Sequence, residues 1–270
     1  MKSYLKSIPA FLYAKRYLFY WWTFCKNLIF VKWLKIDNKL FVRHRNGSVM
    51  ALPYKNIWST EARQLNILGK GYLQHLSSKY TTADFGVDPD DIVIDCGAFV
   101  GGFSIAAAKL FGATTVFAVE PTPLSRECLR LNSAFYDVVD NITILPLGLS
   151  NKSGELALNL SKSGCDNSFL VPDSGATGEK IMIKTITFDQ LLRDLDIAED
   201  AKIFFKVEAE GMEPEIIKGI GSRKPQKLVI DITPERDGIS PINELVPILK
   251  GLGYKIIDES DRCLFAMLSS

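Results

Sequence analysis

Residues 92–104 read Ile92-Val93-Ile94-Asp95-Cys96-Gly97-Ala98-Phe99-Val100-Gly101-Gly102-Phe103-Ser104. A short apolar run that feeds straight into a glycine turn and then into a helical stretch is how a buried strand of a parallel sheet hands over to its crossover helix. Working outward, Thr115–Val119 and Ile142–Pro146 give two more such strands, and Gly102–Phe111 and Pro123–Ala134 read as the helices between. Further on, Ile203–Val207 and Leu228–Ile232 repeat the pattern around the helical Pro214–Ile220, and Tyr254–Asp258 with Cys263–Leu268 closes it as a terminal antiparallel pair. Continuous apolar strands alternating with helices predict an α/β fold: a Rossmann-like, mostly parallel seven-stranded sheet with helices on both faces.

The flanks are of a different character. Lys39–Pro53 predicts a hairpin, Leu40–His44 and Ser48–Leu52 alternating around Asn46-Gly47. Thr60–Tyr80 has helical spacing interrupted by Gly69 and Gly71. Ser161–Lys180, rich in Ser, Gly, Asp and Asn without periodicity, reads as a surface loop. The expected organisation is an N-terminal appendage over 1–59, helical and then hairpin, followed by one catalytic domain over 60–270.

Composition narrows the function. Of 270 residues, 32 are Lys or Arg and 31 are Asp or Glu, a balance that gives no nucleic-acid surface. The five cysteines are scattered, odd in number and without a Cys-x-x-Cys pair, which argues against a disulfide framework or zinc and for a reducing, cytoplasmic setting. Only His44 and His75 are present, both ahead of the chemistry-bearing motifs, so a His-based triad is not expected. The acids show no recognisable ligand spacing, and no metal is expected. Ile8–Leu34 is aromatic but broken by Lys15, Arg16, Lys26 and Lys32, too interrupted for a spanning helix. It reads as a helix packing on the domain or on a second copy, with peripheral membrane contact as the competing reading.

Gly97 permits a tight turn and Gly101 a close backbone approach. Phe117-Ala118-Val119-Glu120-Pro121 then sets an acid at the next strand end, where a carboxylate can accept both hydroxyls of a ribose. A dinucleotide fingerprint needs glycine where this chain has Phe99, which disfavours a pyrophosphate. Asp95 suits an ammonium-bearing ligand better than a phosphate. S-adenosylmethionine, with an ammonium and a sulfonium, meets both conditions. Glu208 and Glu210, two apart at the end of Ile203–Val207, are expected to face one side, joined by Lys206 if the strand persists. Two neighbouring carboxylates raise at least one pKa towards the working range, which makes one of them a candidate general base. Glu213 reads as a helix-start acid and Asp231 as either a cleft residue or a cap.

From about Thr60 onward the chain resembles the FkbM-type family of class I methyltransferases. The resemblance rests on Val93-Ile94-Asp95-Cys96-Gly97-Ala98 with Gly101 and Phe103-Ser104, and on Glu120-Pro121 with Pro123, Leu129 and Asn132. It continues through Leu145–Ser150 with Gly154, Thr185–Leu191, and Lys206-Val207-Glu208-Ala209-Glu210-Gly211-Met212-Glu213. That last block is similar to the family's Lys-Ile-Asp-Val-Glu-Gly-Ala-Glu signature. Phe99 and Thr122 stand where the family usually has Asn, and Glu208 where it usually has Asp. The resemblance implies S-adenosylmethionine as cofactor and O-methylation of a hydroxyl on a sugar, glycan or secondary metabolite. Cofactor contacts are then expected from Asp95, Gly97, Ala98, Phe99, Gly101, Glu120 and Pro121, and acceptor-side chemistry from Glu210, Glu208 and Lys206. A nucleotide-dependent oxidoreductase and a methyltransferase-like module without catalysis remain as alternatives.

Overall fold

The computed structural model describes residues 31–36, 39–44, 49–51, 72–162, 164 and 166–269. The chain divides into two compact units, Met1–Tyr72 and Leu73–Ser270. In the first, β1 (Val31–Ile36), β2 (Lys39–His44) and β3 (Val49–Ala51) form an antiparallel meander. β2 and β3 fall where the hairpin is predicted, and the Asn46-Gly47 turn lies outside the described residues. β1 corrects the helical reading of the aromatic segment at its end. Val31, Trp33 and Ile36 are β-branched or aromatic, and the edge of β2 offers their backbone a partner from Val31↔His44 to Ile36↔Lys39. Residues 8–30 and 60–71 lie outside the described residues.

The second unit opens with α1 (Tyr72–Tyr80) and then alternates β4 (Ile92–Cys96), α2 (Gly102–Leu110), β5 (Thr115–Val119), α3 (Pro123–Tyr136) and β6 (Ile142–Leu145). A three-stranded side sheet follows, from β7 (Gly148–Leu149), β8 (Gly154–Ser161) and β9 (Ala176–Ile186). The chain then returns through α4 (Phe188–Asp194), β10 (Ile203–Val207), α5 (Glu213–Lys218), β11 (Lys227–Asp231), α6 (Ile242–Gly251), β12 (Tyr254–Glu259) and β13 (Cys263–Leu268). The main sheet has the order β12-β13-β11-β10-β4-β5-β6, parallel except for β13, which runs antiparallel to both of its neighbours.

Alternation along the strands explains why they read as unbroken apolar runs. Ile94, Phe205, Val207, Leu228 and Ile230 enter a core with residues of α4, α5 and α6. Val93, Val116, Ala118, Phe204 and Val229 enter a second core with residues of α1, α2 and α3. Both faces are therefore covered, and a polar side chain in these strands needs a buried partner.

Ala176–Lys180, expected to be loop, is strand: Lys180 pairs with Asn159 and Ala176 with Ser161. These residues are exposed, so backbone pairing alone makes the strand and no apolar periodicity announces it. Among the described residues, no helix is long and apolar enough to cross a membrane.

Candidate active site

Strand register levels the site. Cys96 lies beside Val119 and Val207, Val119 beside Leu145, and Val207 beside Ile230. The residues that follow each strand end, Gly97, Glu120 and Glu208, emerge in one row with Asp231, the last residue of β11. Strand order reverses between β4 and β10, the point at which open α/β sheets bind ligands beyond their carboxyl ends.

The first turn is held by chain packing. The Gly97 and Ala98 N–H groups both donate to the Val119 carbonyl, at 3.0 and 3.1 Å. Gly97 has φ +76°, and a Cβ built there would lie 1.7 Å from the Glu208 carbonyl oxygen, so the β4 and β10 loops touch at this residue. Gly101, at φ +89°, opens α2, and a Cβ there would meet Leu129 Cγ at 2.8 Å. Asn132 Nδ2 donates to the Val100 carbonyl at 2.8 Å and fixes the loop from α3. Phe99 has φ 50°, in the left-handed region where Asn is enriched, which gives a backbone reason for the Asn that the family usually carries there.

Glu120 is 5% exposed. One carboxylate oxygen accepts the Phe99 N–H at 2.8 Å and the other accepts the Thr122 N–H at 2.7 Å, so this side chain ties two strand-end loops together. The sequence leaves the acid without structural employment; the fold supplies some. The Thr122 side chain shares this carboxylate too, and its remaining acceptor capacity is open to a hydroxyl donor. Burial raises the Glu120 pKa against these hydrogen bonds. Pro121, beside it, accepts from Arg126 Nη1 at 2.6 Å through its carbonyl.

Asp95 is fully buried, and the ammonium that it faces is the protein's own. Its Oδ2 accepts from Ser104 Oγ at 2.6 Å, and its Oδ1 lies 3.0 Å from Lys206 Nζ, close enough for charge pairing although the angle is not that of a hydrogen bond. Lys206 Nζ also donates to the carbonyls of Cys96 and Gly97, at 3.2 and 2.9 Å, and stands 3.3 Å from Glu208 Oε2. Burial opposes charge on Lys206, but Asp95 and Glu208 outweigh it and raise its pKa above the ordinary lysine value.

Glu208 and Glu210 do not share a face. β10 ends at Val207, and Glu210 has φ 50°, so the two-residue alternation expected of a strand stops before either carboxylate. Glu208 turns towards α1: Lys79 Nζ donates to its Oε1 at 2.6 Å, and the Tyr80 hydroxyl makes a short hydrogen bond to its Oε2. Lys79 also reaches Asp231 Oδ2 at 2.7 Å. Burial works against charge on Glu208, yet Lys206, Lys79 and Tyr80 together hold its pKa well below the carboxylate range. Glu208 therefore cannot be the residue whose pKa is lifted.

Glu210 is that residue. Burial first, then Glu235, Glu208, Asp166 and Glu213, push its pKa up to about 9. Glu213, which accepts the Ala209 N–H at 2.6 Å, is pushed up to about 8 by burial and Glu235. Glu235 is pushed up to about 7 by burial and neighbouring Asp231 and Glu208, against its hydrogen bond from Thr233. Among the described residues, Glu120, Glu210, Glu213 and Glu235 form no ion pair, and all four have raised pKa values.

The sequence missed Lys79, Tyr80 and Glu235. A Lys-Tyr pair ending a short helix carries no motif, and only the packing of α1 against the strand ends brings it to Glu208. Among the described residues, the carboxylates grouped closely enough for a metal are Asp88, Asp90 and Asp91, in the turn before β4 and at the opposite strand end from the site. Lys227 and Lys202 already pair with them.

The family model of the methyltransferase FkbM domain matches residues 95–256. A methyltransferase of Sordaria araneosa, sdnD, is 25% identical over 66% of this chain and 78% of its own length. The 31-O-demethyl-FK506 methyltransferase FkbM of Streptomyces tacrolimicus is 22% identical over 86% of this chain and 92% of its own. A solved FkbM methyltransferase from Methylobacillus flagellatus aligns with 77% of this chain and 53% of its own at 19% identity, with a TM-score of 0.46. The matched span runs from Asp95 through Glu120, Lys206, Glu208 and Glu210 to β12, and the chain belongs to the FkbM methyltransferase family.

Proposed function

We propose that the protein is an S-adenosylmethionine-dependent O-methyltransferase whose acceptor is a hydroxyl group of a sugar, glycan or secondary metabolite. The observation that carries this reading is the set of buried carboxyl groups at the strand ends, Glu120 after β5 and the neighbouring Glu210, Glu213 and Glu235, which form no ion pair among the described residues. Burial is the first cause of their raised pKa values, joined at Glu210, Glu213 and Glu235 by neighbouring carboxylates, and a bound cation would offset both. A sulfonium suits that field, and a pyrophosphate does not. Glu120, with lone pairs left at the end of β5, fits a ribose diol. The Streptomyces relative, whose name specifies transfer to oxygen, supports the choice of acceptor atom.

The cofactor supplies an activated methyl group; the chain's residues supply position and proton transfer. Glu208, fixed by Lys79, Tyr80 and Lys206, offers an oriented acceptor to the substrate hydroxyl. Glu210 is protonated near neutral pH, and a positive charge beside it lowers its proton affinity. A cofactor cation held near Glu210 would favour its carboxylate form, and that carboxylate could accept the hydroxyl proton. Lys206 holds the β4 and β10 loops in register through Asp95 and the Cys96 and Gly97 carbonyls.

Two measurements test the reading. Calorimetry should show binding of S-adenosylmethionine and S-adenosylhomocysteine and none of NAD(H); the opposite pattern would overturn it. Incubation with methyl-labelled cofactor and fractionated cell extract should place label in carbohydrate or small-molecule fractions, in ether linkages stable to mild base. Label only in protein or nucleic acid would refute the acceptor class.

A further inference from the structure

Two of the three side chains that hold Glu208, Lys79 and Tyr80, lie outside the matched span of 95–256, and the third, Lys206, lies within it. Lys79 Nζ spends all three of its donors, on Glu208 Oε1 at 2.6 Å, Asp231 Oδ2 at 2.7 Å and Tyr80 Oη at 2.7 Å. It has none left for a substrate. The Tyr80 hydroxyl accepts from Lys79 and donates to Glu208 Oε2. Tyr80 is 1% exposed, and its ring meets Phe103 of α2 edge-on at 5.2 Å. Within this network the side chains of Lys79, Lys206, Asp95 and Asp231 are at most 8% exposed, whereas that of Glu208 is 27% exposed. Glu208 is the member whose side chain reaches the surface, and the buried members act through it.

We propose that Lys79 and Tyr80 are positioning residues for methyl transfer, which clamp the Glu208 carboxylate from α1 and tie it through Phe103 to the helix that follows the cofactor loop. This rests on the function proposed above. The clamp also gives a reason for Glu at a position where the family usually has Asp: the additional methylene carries the carboxylate out to α1. Because a carboxylate held by two ammonium groups and a hydroxyl has one orientation, the acceptor hydroxyl meets a fixed partner rather than a rotating one.

The test uses the full chain and the variants Lys79→Met, Lys79→Arg, Tyr80→Phe and Glu208→Asp. In protein labelled with carboxyl-13C glutamate, the Glu208 resonance, identified by its loss in Glu208→Gln, should titrate higher in Lys79→Met by about 1–3 pH units, the effect of losing an adjacent cation. Tyr80→Phe should shift it in the same direction by less. Label transfer into the extract fraction that the parent labels should slow about tenfold or more in Lys79→Met, the rate equivalent of one such unit. Lys79→Arg should recover part of that loss, and S-adenosylhomocysteine affinity should stay within about twofold, as expected for a group whose three donors are all spent within the protein. In the Glu208→Asp background, Lys79→Met should cost no further rate. An unmoved Glu208 titration, or rate losses that add in the double variant, would overturn the clamp. A parent that fails to bind S-adenosylhomocysteine would instead strike the cofactor reading, and the clamp's role in transfer with it. If Lys79→Met does not fold, Tyr80→Phe, which removes a single oxygen, decides by the same two readouts.

Discussion

Replacing Gly97 by alanine adds one methyl group where the β4 and β10 loops touch. The new Cβ would sit 1.7 Å from the Glu208 carbonyl oxygen, which belongs to backbone and has no rotamer in which to escape. At φ +76° alanine also carries the left-handed cost of about 1–2 kcal/mol. Separating the two loops adds an overpacking cost of about 1–3 kcal/mol. It also disturbs the Glu208 N–H bond to the Cys96 carbonyl, at 3.1 Å, and the Lys206 bond to Gly97. The sum, about 2–5 kcal/mol, corresponds to a Tm lower by about 5–20 °C in a domain of this size. Two substitutions calibrate the argument. Gly101→Ala meets the buried side chains of Leu129 (Cγ at 2.8 Å) and Ile105 (Cδ1 at 3.4 Å) rather than backbone, and should lose less than Gly97→Ala, about 1–3 kcal/mol. Gly154→Ala meets nothing within 4 Å and should be within about 0.5 kcal/mol of the parent. Thermal unfolding followed by circular dichroism, with S-adenosylhomocysteine calorimetry on the folded fraction, reads the series. A Gly97→Ala protein that melts with Gly154→Ala would show that the loops do not meet at that atom.

Glu120→Gln turns an amide NH2 against one of two backbone N–H donors. It should therefore cost about 1–3 kcal/mol in thermal unfolding and weaken S-adenosylhomocysteine binding; unchanged affinity would remove Glu120 from the ribose. Glu210→Gln should leave S-adenosylhomocysteine affinity intact and depress label transfer, and equal transfer would displace Glu210 as the proton acceptor. Glu210, Glu213 and Glu235 hold their protons more tightly folded than at the ordinary value of 4.5, so their contribution to stability is largest at low pH. It is lost as pH rises from about 4.5 through about 7, 8 and 9. Melting temperature should fall over that window, and Glu210→Gln should flatten the fall; a parallel curve would contradict the assignment. Over the same window, affinity for S-adenosylmethionine should rise relative to S-adenosylhomocysteine, which lacks the sulfonium charge, as measured by calorimetry at several pH values.

The central strands were legible because burial leaves runs that are apolar apart from single residues such as Lys206: Thr115–Val119, Ile203–Val207 and Cys263–Leu268 have the bounds that the sequence predicts. The β8–β9 hairpin was not, since its outer half is exposed and held by backbone pairing, and α6 carries Pro247 in its interior. Within the site, the row of Gly97, Glu120 and Glu208 followed from strand ends alone. The separation of Glu208 from Glu210 did not, because period-two reasoning assumes a strand that had already ended at Val207. Lys79 and Tyr80 lie more than a hundred residues from the carboxylate they hold, and no local pattern encodes such a pairing.

The placement of β13 has a consequence for how the chain is made. β12 precedes β13 in sequence but, among the described residues, pairs only with it, while β13 lies between β12 and β11. During synthesis from the N-terminus, the outer edge of β11 stays open until β13 has emerged, and β12 waits beside it with no seat. An unpaired edge on a buried strand is where nascent chains stick to one another. Completion of the sheet is thus a late edge addition of the β12–β13 hairpin through β13, and the interval before it is when the β11 edge is open to neighbours.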